Sequence, residues 1–285
     1  MKIETIAGPM VNLALTEDLG SGDITTDCVV PEGAQAVGRA VAKEEGVLAG
    51  RDVAKLAFSG TDPSLVFEGL LTEGALLKPG VEIFRVRGGA RGILKAERTA
   101  LNFLQRLSGV ATLTRRFVEA VSGTGVVILD TRKTTPGLRV LEKYAVAVGG
   151  GTNHRFGLFD MYLVKDNHLR LAGGIGEAVR RIRDKKSDLP VEVEVRTLDE
   201  VKEACDAGAD RVMLDNMSVD DVRKACEIVK SARARSAGKK PELEISGGVD
   251  LTDVRDYALD GVDYISVGAL THSAPALDIS LVLDV

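Results

Sequence analysis

Residues 191–215, VEVEVRTLDEVKEACDAGADRVMLD, contain a complete repeat of strand, helix and strand. The β-branched and apolar runs at 191–195 and 211–214 are typical of buried strands. Apolar residues recur at three- and four-residue steps across 198–209, which predicts an amphipathic helix between them. Two strands joined by a helical crossover pair in parallel, so this stretch predicts an α/β fold.

The same unit recurs on both sides of that stretch. Further strands are predicted at 126–129, 161–164, 243–245 and 264–267, and further helices at 138–148, 219–234 and 250–260. Repeated units of this kind close into a barrel or form an open doubly wound sheet. No GxGxxG turn follows the first of these strands, which argues against a dinucleotide-binding sheet and favours a barrel.

The first 107 residues show a different pattern, in which short strand-like runs at 37–42, 65–71 and 81–86 are separated by glycine turns. This pattern indicates a mixed α/β domain, and the helical spacing of 92–105 places Arg98 away from the apolar face. We therefore predict an N-terminal domain at 1–107, a barrel domain at 108–272, and a tail at 273–285 that is free to return to the N-terminal domain.

The composition excludes several classes of protein. Of 285 residues, 42 are acidic and 37 are basic, and the net charge of −5 argues against nucleic acid or an anionic membrane as a partner. No apolar run approaches the roughly 20 residues that cross a bilayer. Cys28, Cys205 and Cys226 show no CxxC spacing, so neither a disulfide framework nor a thiolate zinc site is predicted. We expect a reducing, cytoplasmic location.

Polar residues follow each predicted strand of the barrel. In a βα barrel the carboxyl ends of the strands converge on one mouth, so these residues should line one pocket. They lie at 130–133, 165–168, 194–196, 215–216, 246–248 and 268–269.

Basic side chains are concentrated in that pocket. They are Arg132, Lys133, Lys165 and, from GGGTNHRFG at 149–157, His154 and Arg155. In an acidic protein such a cluster is unfavourable unless an anion neutralises it. Guanidinium groups suit carboxylates and lysine suits phosphate, so the pattern predicts a polyanionic ligand.

Two carboxylates, Glu194 and Asp215, end neighbouring predicted strands. They can hold a divalent cation, accept hydrogen bonds from sugar hydroxyls, or act as counter-ions to the basic cluster. The glycine turns at 246–248 and 267–269 lie where barrels present backbone N–H groups to a phosphate. The histidine spacing does not fit a zinc site; we expect His154 to bind an anion and His168 to be structural.

Six longer stretches together match a known pattern. They are TRKTTPGLRVLEKYAVAVGGGTNHRFGLFDMYLVKDNH (131–168), GSGDITT (20–26), AERTALNFLQRLSGVAT (96–112), MLDNMS (213–218), ISGGV (245–249) and SVGALTHSAPALD (266–278). In order and spacing they resemble the quinolinate phosphoribosyltransferase family, and the resemblance covers nearly the whole chain.

The resemblance implies an N-terminal α/β sandwich domain and an irregular, open α/β barrel of the type II phosphoribosyltransferase kind. It implies a homodimer in which each N-terminal domain caps the partner's barrel and Arg98 completes the neighbouring site; assembly beyond the dimer is left open. Arg132, His154, Arg155 and Lys165 would then hold the two carboxylates of quinolinate.

The family's second substrate is phosphoribosyl pyrophosphate. The resemblance implies that Lys133, Glu194 and Asp215 are catalytic, that they address this substrate, and that the two carboxylates bind its Mg²⁺. Further contacts, mainly to the 5-phosphate, would come from Thr131, Ser246, Gly247, Gly248, Val267, Gly268, Ala269 and His272. The implied reaction yields nicotinate mononucleotide, pyrophosphate and CO2, as in de novo NAD biosynthesis.

One position departs from the family pattern, because Arg196 stands where another acidic residue often follows the strand of Glu194. Alternation along a strand would let Glu194 and Arg196 point the same way and pair.

Two other functions stay open. One is a Schiff-base lyase or aldolase that uses the Lys165 amine, and the other is a non-catalytic barrel that senses a phosphorylated metabolite.

Overall fold

The computed structural model describes residues 3–235 and 240–284, and these residues divide into two units. The first unit consists of Met1–Arg115, Thr134–Gly150 and Leu270–Val285, and the second of Arg116–Lys133 and Gly151–Ala269. This division differs from the predicted boundary after residue 107. One long helix runs through that boundary, and residues 134–150 pack with the first unit.

Helices and strands alternate along most of the chain. Those up to the long helix are α1 (Ile3–Leu19), α2 (Ile24–Val29), β1 (Gln35–Ala42), β2 (Gly46–Val47), α3 (Arg51–Thr61), β3 (Val66–Gly69), β4 (Leu76–Leu77), β5 (Glu82–Gly89) and α4 (Ala90–Ala120). Next come β6 (Val127–Leu129), α5 (Arg139–Gly149), β7 (Tyr162–Val164), α6 (Asp166–Ala172), α7 (Ile175–Arg183), β8 (Val191–Val195) and α8 (Leu198–Asp206). The last are β9 (Arg211–Asp215), α9 (Val219–Arg235), β10 (Glu242–Ser246), α10 (Val254–Tyr257), β11 (Tyr264–Ser266), α11 (Ala269–His272) and β12 (Ile279–Asp284).

An antiparallel sheet forms the centre of the first unit, with the strand order β12-β1-β5-β3. Its buried face carries the aromatic rings of Phe67 and Phe84, whose centroids lie 4.6 Å apart, and Phe58 of α3 packs edge-on against Phe84. Clustered aromatic rings bury a large apolar area, which stabilises a sheet of this size. Helices and an antiparallel sheet in one unit agree with the predicted mixed α/β domain.

The tail, which was predicted to be free to return, supplies strand β12 to this sheet. It pairs antiparallel with β1, and Arg39 donates to the carboxylate of Asp284 at 2.6 Å. The approach of the tail also explains Gly109 inside α4. A Cβ atom there would lie 1.9 Å from the carbonyl oxygen of Pro275, so only glycine permits this contact.

A parallel sheet of six strands forms the centre of the second unit, in the order β6-β11-β10-β9-β8-β7. All six predicted barrel strands are present, within two residues at each end. Within the described residues the end strands β6 and β7 do not pair with each other, which agrees with an open barrel.

One predicted helix of the barrel is much shorter than expected. Of 250–260, only α10 is helical, because the side chain of Asp250 accepts hydrogen bonds from the backbone and hydroxyl of Thr252, and Asp253 accepts from the backbone of Asp250. Such local side-chain hydrogen bonds compete with a helix.

No helix among the described residues is long and apolar enough to cross a membrane.

The register of the parallel sheet determines which side chains share a face. Glu194 lies opposite Met213, and Asp215 lies opposite Ser246. Because side chains alternate along a strand, Glu192, Glu194 and Asp215 all stand on one face of the sheet. Of these, Glu194 and Asp215 lie nearest the carboxyl ends of their strands, β8 and β9. That face carries most of the polar groups discussed below.

Candidate active site

The segment after β6 begins the candidate site. Thr131 accepts a hydrogen bond from the backbone N–H of Lys133 at 3.0 Å, which forms a tight turn; Arg132 is half-buried and Lys133 is exposed. Just before them, the buried carboxylate of Asp130 accepts from the backbone N–H of His154 at 2.8 Å. This bond ties the end of β6 to the glycine-rich segment that carries Arg155.

Arg155 lies near charges of both signs. Burial and the nearby charge of Arg132 lower the pKa of its guanidinium, while Glu192 and Asp160 oppose this effect. Arg155 donates to the carbonyl of Met161 at 3.3 Å and has no ion-pair partner among the described residues. Two guanidinium groups held near each other favour an anion between them.

Lys165 and Glu194 form an ion pair at the ends of β7 and β8. The lysine side chain is 46% exposed, whereas the glutamate side chain is only 8% exposed. The backbone of Lys165 is fixed at the start of α6, where its N–H donates to Nδ1 of His168 at 3.0 Å. This bond is the structural role that we expected for His168.

Asp215, at the end of β9, pairs with Arg196. The Nε of Arg196 lies 3.1 Å from Oδ2 of Asp215, and its Nη1 lies 3.5 Å from the carboxylate of Asp166. The expected pair of Arg196 with Glu194 is therefore not the one that forms. Asp215 and Asp166 raise the pKa of Arg196, and the side-chain hydrogen bond to Asp215 contributes most.

Glu194 and Asp215, which were predicted to bind magnesium, are of a chemical type that this ion prefers. Mg²⁺ prefers oxygen ligands and is often held by one or two carboxylates together with substrate phosphates. Glu194 and Asp215 offer such oxygens, each now paired with a basic side chain. The protein alone does not provide a full cage, because the group of three close ligand atoms found among the described residues lies elsewhere, at His154, Glu192 and Glu244.

The two predicted phosphate loops differ in structure. Gly247 and Gly248 have positive φ values of 94° and 66°, and a Cβ on Gly247 would come within 2.4 Å of the side chain of Asn216. Glycine is therefore required at 247. In the other loop the N–H of Val267 donates to Leu129 at 2.9 Å, so Val267 continues the sheet.

A charged cluster lies on the same face of the sheet but is buried. Nε2 of His154 lies 3.1 Å from Glu192 and 3.4 Å from Glu244, and Arg211 donates to Glu244 at 3.0 Å. The side chains of His154, Glu192 and Glu244 are each at most 5% exposed. The imidazole of His154 thus faces carboxylates of the protein, and its role as a direct quinolinate ligand stays a prediction.

The charge state of His154 follows from two opposed contacts. Burial lowers its pKa, but Glu192 and Glu244 outweigh burial and raise the pKa to about 9. Nδ1, however, accepts the N–H of Arg155 at 2.7 Å, a bond that a second ring proton would remove. That bond is worth about 1 kcal/mol, whereas the rise of the His154 pKa from 6.5 to about 9 corresponds to about 3 kcal/mol in favour of the charged ring. We therefore expect the imidazolium form at neutral pH.

This charge state makes stability depend on pH. The pKa of His154 in the fold, about 9, exceeds the ordinary value of 6.5, so its contribution is complete below pH 6.5 and is lost as pH rises through 9. We expect the free energy of unfolding to lose about 3 kcal/mol across this range. Urea denaturation at several pH values measures it.

The control for that experiment is His168, whose imidazole is exposed. His168→Asn should retain the pH dependence of the wild type, and His154→Asn should flatten it. An equal slope in the wild type and the His154→Asn variant would contradict the assigned charge state.

Two of the predicted site residues belong to the first unit. Arg98 is exposed on α4, and His272 is exposed at the end of α11, where its Nδ1 lies 2.6 Å from the hydroxyl of Ser273. The second unit contains the other predicted residues, which are Thr131, Arg132, Lys133, His154, Arg155, Lys165, Glu194, Asp215, Ser246, Gly247, Gly248, Val267, Gly268 and Ala269.

Comparison with known proteins identifies the family. The family model "Quinolinate phosphoribosyl transferase, C-terminal domain" matches residues 110–282, and the corresponding N-terminal domain model matches residues 23–108. The chain belongs to the quinolinate phosphoribosyltransferase family. The two matched ranges together span most of its length.

Relatives of this family member come from bacteria and plants. A nicotinate-nucleotide pyrophosphorylase [carboxylating] of Mycobacterium leprae is 45% identical, and the match covers 95% of each chain. The chloroplastic protein of that name from Oryza sativa is 44% identical over 96% of this chain and 77% of its own. The solved structure of nicotinate-nucleotide pyrophosphorylase from Francisella tularensis has a TM-score of 0.93 and 41% identity, covering 100% of this chain and 98% of that one.

Sequence reasoning placed Asp166 and Asn216 among the polar residues after the strands but gave them no role in this quinolinate phosphoribosyltransferase family member. Asn216, at a positive φ of 54°, donates to Asp215 at 2.8 Å, and Asp166 contacts the guanidinium of Arg196. Sequence reasoning missed Glu192 and Glu244, which contact His154. The alternating letters VEVEV and ELEIS were a usable signal, because a glutamate two residues before a site residue stands on the same face of its strand.

Proposed function

We propose that this chain transfers the phosphoribosyl group of phosphoribosyl pyrophosphate to quinolinate and releases nicotinate mononucleotide, pyrophosphate and CO2. The observation that carries the proposal is membership of this family, and two local groupings support it: Arg155 lies near the charge of Arg132, and Lys165 contacts Glu194. The basic groups suit a dicarboxylate, and the acidic groups suit a sugar and its cation.

In this proposal the basic groups bind the two carboxylates of quinolinate by electrostatic attraction. Arg132 and Arg155 each offer a planar fork to one carboxylate, and Lys165 offers its ammonium group to the other. Lys165 already contacts Glu194, so the quinolinate carboxylate competes with Glu194 for the ammonium group and its three N–H donors. Binding of the substrate therefore weakens the contact between Lys165 and Glu194.

Bond formation joins the pyridine nitrogen to the anomeric carbon of the ribose. The nitrogen lone pair forms the new bond as the bond to pyrophosphate breaks, and the leaving group keeps that electron pair. Positive charge develops on the ribose, where Glu194 and Asp215 stabilise it, and Lys133 stabilises the departing pyrophosphate. Mg²⁺ held by the two carboxylates would neutralise charge on the same leaving group.

Decarboxylation follows from the charge on the ring. Once glycosylated, the nitrogen is cationic, so the carboxylate on the adjacent carbon leaves as CO2 and its electron pair stays on the ring until a proton replaces it. The basic cluster must therefore hold two carboxylates before the transfer and only one afterwards. No redox cofactor or covalent nucleophile is needed.

The test is an assay with the purified chain, quinolinate, phosphoribosyl pyrophosphate and MgCl2, followed by chromatography of nicotinate mononucleotide. Product in stoichiometric amount with pyrophosphate supports the proposal, and binding without product would favour the sensor alternative. Borohydride trapping with a keto substrate covers the lyase alternative, which predicts a covalent adduct on Lys165. We expect no adduct.

We further propose a homodimer in which Arg98 of one protomer completes the site of its partner. An exposed apolar surface next to Arg155 supports a second copy, since Leu158 and Phe159 are each 73% exposed and Phe156 is 41% exposed. Apolar groups clustered in this way are typical of contact surfaces.

We also propose a cytoplasmic location, which the free thiol of the exposed Cys28 supports.

Mixing two inactive variants tests the shared site. Arg98→Ala and Lys165→Ala homodimers should each be nearly inactive. After unfolding and refolding of an equal mixture, half of the dimers are mixed and each has one intact site, so about a quarter of wild-type activity should return. Native mass spectrometry verifies the mixed dimers. Mixed dimers without activity would show that each chain completes its own site.

A further inference from the structure

Both carboxylates that we propose for magnesium are paired with a cation of the protein itself. Glu194 contacts Lys165, for which the proposed quinolinate competes. Asp215 contacts Arg196, to which the proposed function gives no part. The Arg196–Asp215 pair therefore needs its own explanation.

Arg196 is fixed at its backbone, whereas its guanidinium is held only by ion pairs at the surface. Its N–H donates to the carboxylate of Glu200 at 2.7 Å, which fixes the main chain at the start of α8. The side chain itself is 57% exposed and reaches Asp215 and Asp166 across the surface of the mouth. The guanidinium stays mostly in water in this pair, although the Asp215 side chain is only 18% exposed, so the guanidinium can leave Asp215 at a modest cost.

The two oxygens of Asp215 have different partners. Oδ1 accepts the neutral amide of Asn216 at 2.8 Å, and Oδ2 accepts the guanidinium of Arg196 at 3.1 Å. A divalent cation at Oδ2 would stand next to the positive charge of Arg196, and like charges at this distance repel each other. A metal ion and Arg196 therefore compete for the same oxygen.

We propose that Arg196 is a placeholder cation, which occupies Oδ2 of Asp215 until a divalent cation displaces it and so lowers the affinity of this mouth for the metal. The inference rests on the proposed function in one respect only, namely that Asp215 is a cation ligand. It assigns Arg196 a part in metal affinity and no part in bond formation.

The test measures binding of Mn²⁺ alone to the full chain, from the electron paramagnetic resonance signal of the free ion. Arg196→Gln removes the competing charge and should tighten Mn²⁺ binding about fivefold. Arg181→Gln is the matched control, because Arg181 is also 57% exposed and pairs with Glu177 at 2.7 Å. It should leave Mn²⁺ binding unchanged. If Arg196→Gln fails to fold, Arg196→Met, which keeps the aliphatic stem, provides the same comparison.

A second substitution locates the effect. In the Arg196→Gln chain, adding Asp215→Asn should abolish the gain, because the vacated oxygen no longer carries charge. The proposal is overturned if Arg196→Gln binds Mn²⁺ no more tightly than the wild type, or if the gain survives Asp215→Asn. These measurements contain no quinolinate, so they can succeed when the transferase assay fails, and the reverse.

Discussion

Replacing Lys165 with alanine is expected to weaken quinolinate binding by about a thousandfold, which corresponds to about 4 kcal/mol. Two losses combine in this variant. The ligand loses a charge-assisted hydrogen bond, worth about 1.5–3 kcal/mol. In addition, Glu194 loses its cation while it is only 8% exposed, and an unpaired carboxylate in the pocket repels an anionic ligand.

A second variant separates the two losses. Lys165→Ala combined with Glu194→Gln removes the stranded charge, so quinolinate should bind about tenfold more tightly than to Lys165→Ala alone. Calorimetric titration of quinolinate measures both values without turnover, which matters because we propose a catalytic role for Glu194. Lys224→Ala is the control, since Lys224 is exposed and pairs with Asp221 at 2.9 Å, and it should bind as the wild type does.

The outcome that would contradict the proposed role of Lys165 is equally specific. If Lys165→Ala binds quinolinate within tenfold of the wild type, the ammonium group is not a major ligand of the dicarboxylate. If removal of the Glu194 charge gives no recovery, the Lys165–Glu194 contact does not compete with the substrate. Either result leaves the family assignment intact and changes only the proposed site.

The parallel strands were predictable because burial on both faces leaves a simple trace in the sequence. Strand β8 is buried at every position and β9 at most of them, and each is bounded by charged residues or turns. Helix α4 was predicted only in part. It continues for fifteen residues past Gln105 through Gly109, a residue that weakens a helix and is there because the tail passes against it.

The partners of the site residues could not be predicted in the same way. Arg196 was expected beside Glu194 from strand alternation, which predicted the correct face of the sheet but not the partner, because β8 ends at Val195 and the side chain turns across to the next strand. It reaches Asp215 on the neighbouring strand instead. Which of several nearby carboxylates an arginine contacts depends on where the strand ends and the loop turns, and spacing along one chain does not contain that information.

The second large effect is expected on the free energy of unfolding, from substitutions in the buried cluster around His154. Glu192 on β8 and Glu244 on β10 are both fully buried, yet their surroundings differ. Burial and the charge of Glu244 raise the pKa of Glu192, whereas His154 and Arg211 overcome burial and lower the pKa of Glu244. The cluster therefore stabilises one carboxylate as an anion and favours the protonated form of the other.

Glutamine substitution at each position should expose this difference. At pH 6, Glu192→Gln mimics the protonated acid and should change the free energy of unfolding by less than about 1 kcal/mol. Glu244→Gln leaves His154 and Arg211 without their shared anion and should cost about 2–3 kcal/mol. The cost stays below that of a fully broken buried pair, because Glu192 can then ionise next to His154.

That compensation makes the double variant decisive. With both residues changed to glutamine, the two carboxylates at 3.1 and 3.4 Å from His154 are both removed, and the loss should exceed the sum of the two single losses by about 1 kcal/mol. Urea denaturation of the four chains at pH 6 gives the complete cycle. Equal costs for the two single variants would mean that the carboxylates share the negative charge, and an additive double variant would mean that Glu192 does not ionise in place of Glu244.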